Sequence, residues 1–422
     1  MMVATRGARA RPASIGEGQV APAASAPATF IYADAGGDDY WRAKAPAKVL
    51  GAKIVAVPPR QMERAFTRPN SSTPLPWRIE LQTSDGQQHT FSTMKAWKQF
   101  ASSRPGYVPT TIRTVFPKVE GVAVWQRPDR SRAALALTMQ DQGTRTIADT
   151  DDNYFADASQ NVWLRQHRFT ELERTQHARA FAIQDAIVFS TAQLRDVYQR
   201  ELRSRIGRKN VPELHVCRNH VPLADWPERD ERDGPLRVGF MGSASHVWDL
   251  AALAYASFHA AHGLGCETVF IGYSPTESEL PTEQRTDKSL EIGAKWQKVI
   301  SRHIPWVAPV DYARAALPLD IGIAPLRTNA FNLGKSDVKA IEYAISGTAA
   351  VLQNNAVYNT AGWKHGVNCL MASTQEDFAH AVVRLVRDAK LRYELVSNAQ
   401  QMVMNERGDD QIRREWHAAF AG

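Results

Sequence analysis

The chain has 422 residues, 44% of them hydrophobic and 23% charged, with a formal net charge of +7. That length holds two domains with full cores, and the balance is that of a globular protein, which excludes fibrous and wholly disordered classes; no apolar run is long enough to span a bilayer. The basic excess suits acidic partners, whether nucleotide diphosphates, nucleic acid or an anionic membrane surface, and does not choose among them.

Residues 1–27 are rich in Ala, Pro, Gly and Arg, lack periodicity and read as a flexible tail. They carry arginines without an apolar stretch, so no secretory signal is read. Cys217, Cys266 and Cys369 are dispersed, without metal-ligand spacing, and read as free thiols of a reducing, cytoplasmic compartment. The first strand is predicted at 29–33, followed by a Gly36-Gly37 loop, a helix through Leu50 and a strand at 53–57. Strand, glycine loop, helix and strand make a βαβ opening in which Gly36 and Gly37 let a ligand approach the backbone. From 60 to 118 the pattern is irregular; 77–81 and 89–91 suggest a hairpin turning at Asp85-Gly86, and Trp77, Trp97 and Tyr107 read as core or acceptor-facing aromatics.

Strands follow at 121–126 and 145–149, the second ending in Asp149-Thr-Asp-Asp. Three carboxylates at a strand end are either a solvated loop capping the next helix or a used site, and the Asp149–Asp151 spacing could also hold a divalent ion. A strand at 186–190 leads to a helix capped by Thr191; its basic run, Arg200, Arg203, Arg205, Arg208 and Lys209, reads as a solvated face that could touch an anionic acceptor or lipid. A strand at 214–217 precedes a turn holding His220. The polar segment 225–235 reads as a linker, dividing a domain at 28–225 from one at 236–404, with a helix at 405–422 crossing back to the first.

The second half repeats the opening logic: a strand at 236–240, a loop with Gly242, Ser243, Ser245 and His246, a helix from Asp249, and a strand at 267–272. Further strands are predicted at 304–307, 319–326 and 348–352. Between the last two runs a loop, 331–337, enters a helix in which Ser336 is placed as N-cap, Val338, Ile341 and Ile345 form the buried stripe, and Gly347 ends the helix. Lys339 and Glu342 share a more polar face, with Lys335 just before it; lysines at a helix start suit a phosphate, and a carboxylate one turn on suits a ribose diol. Helices at 376–388 and 409–420 complete the chain.

This arrangement resembles the donor-binding half of GT-B fold NDP-sugar glycosyltransferases, in particular the retaining family 4 (glycosyl transferases group 1). The motif there is Glu-x7-Glu, then a short helix and a Gly-x-Pro-Val strand entry. Glu342 matches the second glutamate and Gly347-Thr-Ala-Ala-Val the strand entry, while Gly334 stands where the first glutamate would be. The resemblance implies an α/β fold of two Rossmann-like domains facing a cleft. It implies Glu342 on the ribose, and Lys335, Ser336, Lys339 and Asn332 in the loop around the diphosphate. Gly36, Gly37, Gly242 and Ser243 would be close-approach backbone, Arg42 a phosphate contact or one layer behind it, and His246 a donor. The nucleobase would lie beside Trp306 and Val307, and Asp151 or Asp152 near the reaction centre as acceptor-positioning group or base. Its members generally dispense with metal, so no cofactor is expected beyond the UDP- or GDP-sugar itself. The expected partners are that donor and an acceptor protein, glycan or lipid, with no specific nucleic acid. The alternatives are an NDP-sugar epimerase of the same fold and a non-catalytic nucleotide-sugar-binding protein.

Overall fold

A computed structural model describes residues 27–32, 40–56, 78–82, 87–91, 96, 99–100, 103, 111–115, 119–128, 130–157, 159, 161, 170–227, 229, 233–275, 293–305 and 319–421. Gly36, Gly37, Trp77, Trp97, Tyr107, Trp306 and Val307 lie outside those residues, as do the predicted turn at Asp85-Gly86 and the tail at 1–26.

Two six-stranded sheets form the frame, each wholly parallel. The first contains β1 (Ala28–Tyr32), β2 (Lys53–Ala56), β6 (Val122–Gln126), β7 (Arg145–Thr150), β8 (Ala186–Phe189) and β9 (Glu213–Val216), in the order β2-β1-β6-β7-β8-β9. The second contains β10 (Arg237–Gly242), β11 (Glu267–Gly272), β12 (Arg302–Ile304), β13 (Ile321–Ala324), β14 (Ala349–Gln353) and β15 (Leu370–Ala372), in the order β12-β11-β10-β13-β14-β15. Inner strands such as β6, β8, β11 and β14 are buried along nearly their whole length, as expected where helices cover both faces of a parallel sheet, while the edge strands β2, β9 and β12 are partly exposed. Between β2 and β6 an antiparallel sheet of β3 (Arg78–Gln82), β4 (Gln88–Phe91) and β5 (Thr111–Val115) adds a third strand to the predicted hairpin. The strand predicted at 304–307 is displaced: β12 ends at Ile304.

The helices are α1 (Ala45–Leu50), α2 (Arg130–Asp141), α3 (Glu171–Ala182), α4 (Ala192–Ile206), α5 (Val247–Leu253), α6 (Tyr255–Gly263), α7 (Val338–Ile345), α8 (Ala356–Asn359), α9 (Gln375–Arg387), α10 (Ala389–Arg407) and α11 (Asp409–Ala421). Among the described residues no helix is long and apolar enough to cross a membrane. Thr191 caps α4 by accepting from the Leu194 amide, as its position before the apolar stripe predicts. In α11, Ile412, Trp416 and Ala419 are buried in one cluster with Phe30, Val124 and Val188 of the first sheet; the Phe30 and Trp416 rings meet edge to face at 4.9 Å. The chain's last helix therefore closes the core of its first sheet.

The two halves share a seam. Trp41, in a π-helical turn at Tyr40–Lys44, is buried with Met241, Ile341 and Ala344 of the second half. Polar bonds line the rest of it. Asn153 donates to the Ala330 carbonyl (3.0 Å), Thr191 to the Gly334 carbonyl (3.3 Å), and Gln193 to the Thr360 hydroxyl (2.6 Å).

Candidate active site at the lobe seam

In each sheet the chain runs outward in one direction and then returns to the middle to build the other side. The reversal falls between β1 and β6 in one sheet and between β10 and β13 in the other. Beyond the carboxyl ends of such strands lies a crevice, the usual ligand site of open parallel sheets.

In the second sheet that place is Gly242 and the loop after it. A Cβ at Gly242 would lie 2.7 Å from Lys339 Nζ and 2.8 Å from the Phe240 ring, so only glycine leaves the lysine its position. Lys339 donates to the Met241 carbonyl (3.0 Å) and lies 5.0 Å over the Phe240 ring. Burial lowers its pKa, and Lys335 adds to the effect against the opposing charge of Glu342. Ser243 is exposed, its hydroxyl 2.8 Å from that of Ser245.

Glu342 is not on an open polar face. It is only 4% exposed, and burial pushes its carboxyl up to about 7 against Lys339 and a hydrogen bond from Trp41. The reason is tertiary: Trp41 from the first half covers this side of α7, which is buried from Ala340 to Ile345. The N-cap also differs from expectation. It is Asp337, without a side-chain cap bond, because the Asp337 carboxylate accepts instead from Trp363 Nε1 (2.9 Å) and Arg407 (3.2 Å). Ser336 is turned toward the first half, where its hydroxyl meets Asn219 Nδ2 at 2.8 Å. Gly347, at φ +72°, ends the helix in the left-handed conformation glycine adopts cheaply.

The first half presents the Asp-rich end of β7. Asp149 is fully buried in a double contact with Arg42, whose guanidinium also donates to the Cys217 carbonyl and to Asn219 (3.0 Å). Burial pushes the Asp149 carboxyl up to about 6, with Arg42 opposing. Arg42 is thus spent inside the lobe: it supports Asn219, which reaches Ser336 across the seam, and offers no direct phosphate contact. Arg127 holds Asp151 (2.7 Å) and Asp152 (3.1 Å). Its φ of +50° is the one positive value at a non-glycine among the described residues, backbone strain of about 1 kcal/mol or more stored next to this loop. Burial would raise the Asp151 carboxyl, but Arg127 and Lys335 outweigh it and hold it below the usual range. The three carboxylates are therefore answered by arginines, which is neither the solvated loop nor the Asp149–Asp151 cation site that spacing allowed. Among the described residues no cluster of three His, Cys, Asp or Glu could hold a metal ion.

Lys335 closes the arrangement. Its ammonium lies 2.5 Å from Asp152 across the seam and 4.7 Å over the Phe331 ring. The lysine-bearing turn thus faces the other half of the molecule and not bulk solvent. Asp249, which sequence reasoning passed over, is a buried hub: it accepts from the Arg327 amide (3.0 Å) and Asn332 (3.1 Å), and meets His246 Nδ1 at 3.1 Å. Asn332 accordingly braces the loop from inside. Nothing local marked Asp249, since an aspartate near a helix start ordinarily answers the helix dipole.

Solved structures match this two-sheet architecture over nearly the whole chain. One is Anabaena HepE in complex with UDP, at 10% identity and TM-score 0.56, covering 94% of this chain and 99% of that one. A UDP-forming trehalose-phosphate synthase from Burkholderia xenovorans gives 12% identity and TM-score 0.57, covering 94% and 98%. The fold is GT-B. Sucrose-phosphate synthase from Thermosynechococcus elongatus is similar at 10% identity and TM-score 0.55, again over 94% of this chain and 98% of that one. No protein-family model matches the sequence, and no curated protein matches it.

Gly334, where the resemblance would place the first glutamate, packs closely against the facing lobe. A Cβ at Gly334 would lie 3.0 Å from Leu194 Cδ1 and 3.3 Å from Asn153 Cβ, both in the facing lobe. A larger residue there would need these neighbours to give by a few tenths of an ångström.

Proposed function

We propose that the chain is a glycosyltransferase, moving a sugar from a UDP- or GDP-sugar donor to an acceptor hydroxyl, with 28–225 as acceptor lobe, 236–404 as donor lobe and the 405–422 helix returning to the first. The observation that carries this reading is the meeting at the end of β10, where Lys339 is held against a loop that glycine keeps open, with Lys335 of the same turn reaching across the seam to Asp152. Two positioned cations in a partly buried seam stabilise a diphosphate as its bond to the sugar breaks, commonly the largest catalytic contribution. HepE, solved with UDP and with UDP-glucose, supports the choice of ligand class.

In this reading Glu342 receives the ribose and Gly242 and Ser243 the β-phosphate. The roles the resemblance gives to Gly36, Gly37, Trp306 and Val307 fall on residues outside those described. Asp152 is Lys335's partner until donor enters. The depressed pKa of Asp151 suits holding a hydroxyl better than removing its proton. Retention of anomeric configuration rests on the family resemblance alone.

The test is release of nucleoside diphosphate from UDP-glucose and GDP-mannose, with and without added glycan, lipid and peptide acceptors. Slow hydrolysis that an acceptor accelerates supports transfer; conversion of the donor sugar with no acceptor and no release would point to an epimerase instead. A second reading draws on the glycine at 334 and the Lys335–Asp152 pair: a protein that binds the nucleotide sugar without turning it over. Binding with no release under any condition would favour it.

A further inference from the structure

His246 has geometry that a simple hydrogen-bond donor would not need. Its Nδ1 lies 3.1 Å from Asp249 Oδ2, while the other Asp249 oxygen is fixed by the Arg327 amide and Asn332. The carboxylate is therefore immobile and aims the ring. The Phe240 ring sits between two groups that converge on the Gly242 loop: His246 meets it edge to face at 6.0 Å, and Lys339 lies over it at 5.0 Å. With Nδ1 tied to Asp249, Nε2 is the nitrogen left to a ligand, and the His246 side chain is 15% exposed.

We infer that His246, backed by Asp249, is a proton-linked contact for the donor diphosphate: it takes up a proton from solvent when the diphosphate enters beside Lys335 and Lys339, and returns it when nucleoside diphosphate leaves. This rests on the donor-site reading above. The charges around the ring set the coupling. In the empty site burial, then Lys339, push the imidazole down to about 4, with Asp249 opposing and Lys335 adding to the depression. Arg327 offsets part of the Asp249 charge by donating to its other oxygen. A bound diphosphate reverses the balance, since its negative charges neutralise both lysines and favour the imidazolium. Asp249 then stabilises the charged ring, as a carboxylate does behind any histidine that must carry a proton.

The experiment is calorimetric titration of full-length protein with UDP-glucose and with GDP-mannose at about pH 6, in two buffers of different protonation heat. A nucleotide sugar is esterified at both ends of its diphosphate, so it exchanges no proton of its own there. Wild type is expected to take up roughly half to one proton and to bind about fivefold tighter at pH 6 than at pH 7.5, through linkage of binding to protonation. His246→Gln keeps a donor but cannot titrate; it should lose the imidazole's share of the proton uptake and of the pH dependence, leaving only the exchange of Glu342, whose carboxyl titrates at about 7, with its melting temperature confirming a folded protein. Binding by wild type without proton uptake, or equal uptake by His246→Gln, overturns the inference and leaves the donor site standing. Failure of both nucleotide sugars to bind overturns both.

Discussion

His220 sits in the segment after β9, and its burial makes a quantitative prediction. The side chain is 1% exposed, and neither ring nitrogen has a hydrogen-bond partner among the described residues. Burial, helped by Arg42, pushes its pKa down to about 3. In the unfolded chain the imidazole titrates near its ordinary value of about 6.5. Between those values the unfolded state binds a proton that the folded state refuses, so stability is complete above the unfolded value and is lost as pH falls. At about pH 5 the loss from this one residue is about 2 kcal/mol, a sizeable share of a typical folding free energy of roughly 5–15 kcal/mol. His220→Leu removes the titration and also two buried polar atoms without partners, worth about 1–3 kcal/mol. The variant should be at least as stable as wild type at about pH 7.5, and its advantage should grow by about 2 kcal/mol at about pH 5. Urea denaturation followed by tryptophan fluorescence at the two pH values measures this. Parallel losses in the two proteins would refute the reasoning, because His220 would then be solvated or already paired.

Three substitutions test the site. Gly242→Ala places a methyl 2.7 Å from Lys339 Nζ, so nucleotide affinity should fall by about tenfold or more with a small change in melting temperature; unchanged affinity would mean that the loop does not meet the ligand. Lys335→Ala loses a partly exposed ion pair worth about 1 kcal/mol or less, so turnover should drop far more than stability does, and an equal fall in both would assign the lysine to the lobe contact alone. Glu342→Ala should weaken nucleotide binding in calorimetry, and wild-type affinity in this variant would remove Glu342 from the ribose.

The parallel strands were legible because they are short, apolar and bounded by turn residues. Glu267–Gly272 matches its predicted limits, and Ala186–Phe189 and Ala349–Gln353 differ from theirs by a residue. The helix α7 was legible from the stripe Val338, Ile341, Ile345 and the stop at Gly347. What the sequence could not show was whatever depends on the facing lobe. Lys339 and Glu342 looked exposed because periodicity knows nothing of Trp41, whose ring arrives from a segment about 300 residues earlier. Ser336 looked like a cap because capping propensity is local, while Asn219 competes for its hydroxyl from the other lobe. The pairing of Arg42 with Asp149, and of Lys335 with Asp152, likewise joins distant charges whose spacing in the chain carries no signal. Asp249 was missed for another reason: a single aspartate near a helix start ordinarily answers the helix dipole, and nothing local marks one that orients a histidine.

The central claim is that a diphosphate lies in the seam against the lysine-bearing turn of α7. Titrating UDP, GDP and dTDP into wild type and Lys339→Ala, with melting temperature as readout, tests it most directly. The account predicts that at least one of the three raises the wild-type melting temperature in a saturable way and that the variant loses most of that shift while remaining folded. Equal shifts in the two proteins, or none in wild type with any of the three, would contradict it.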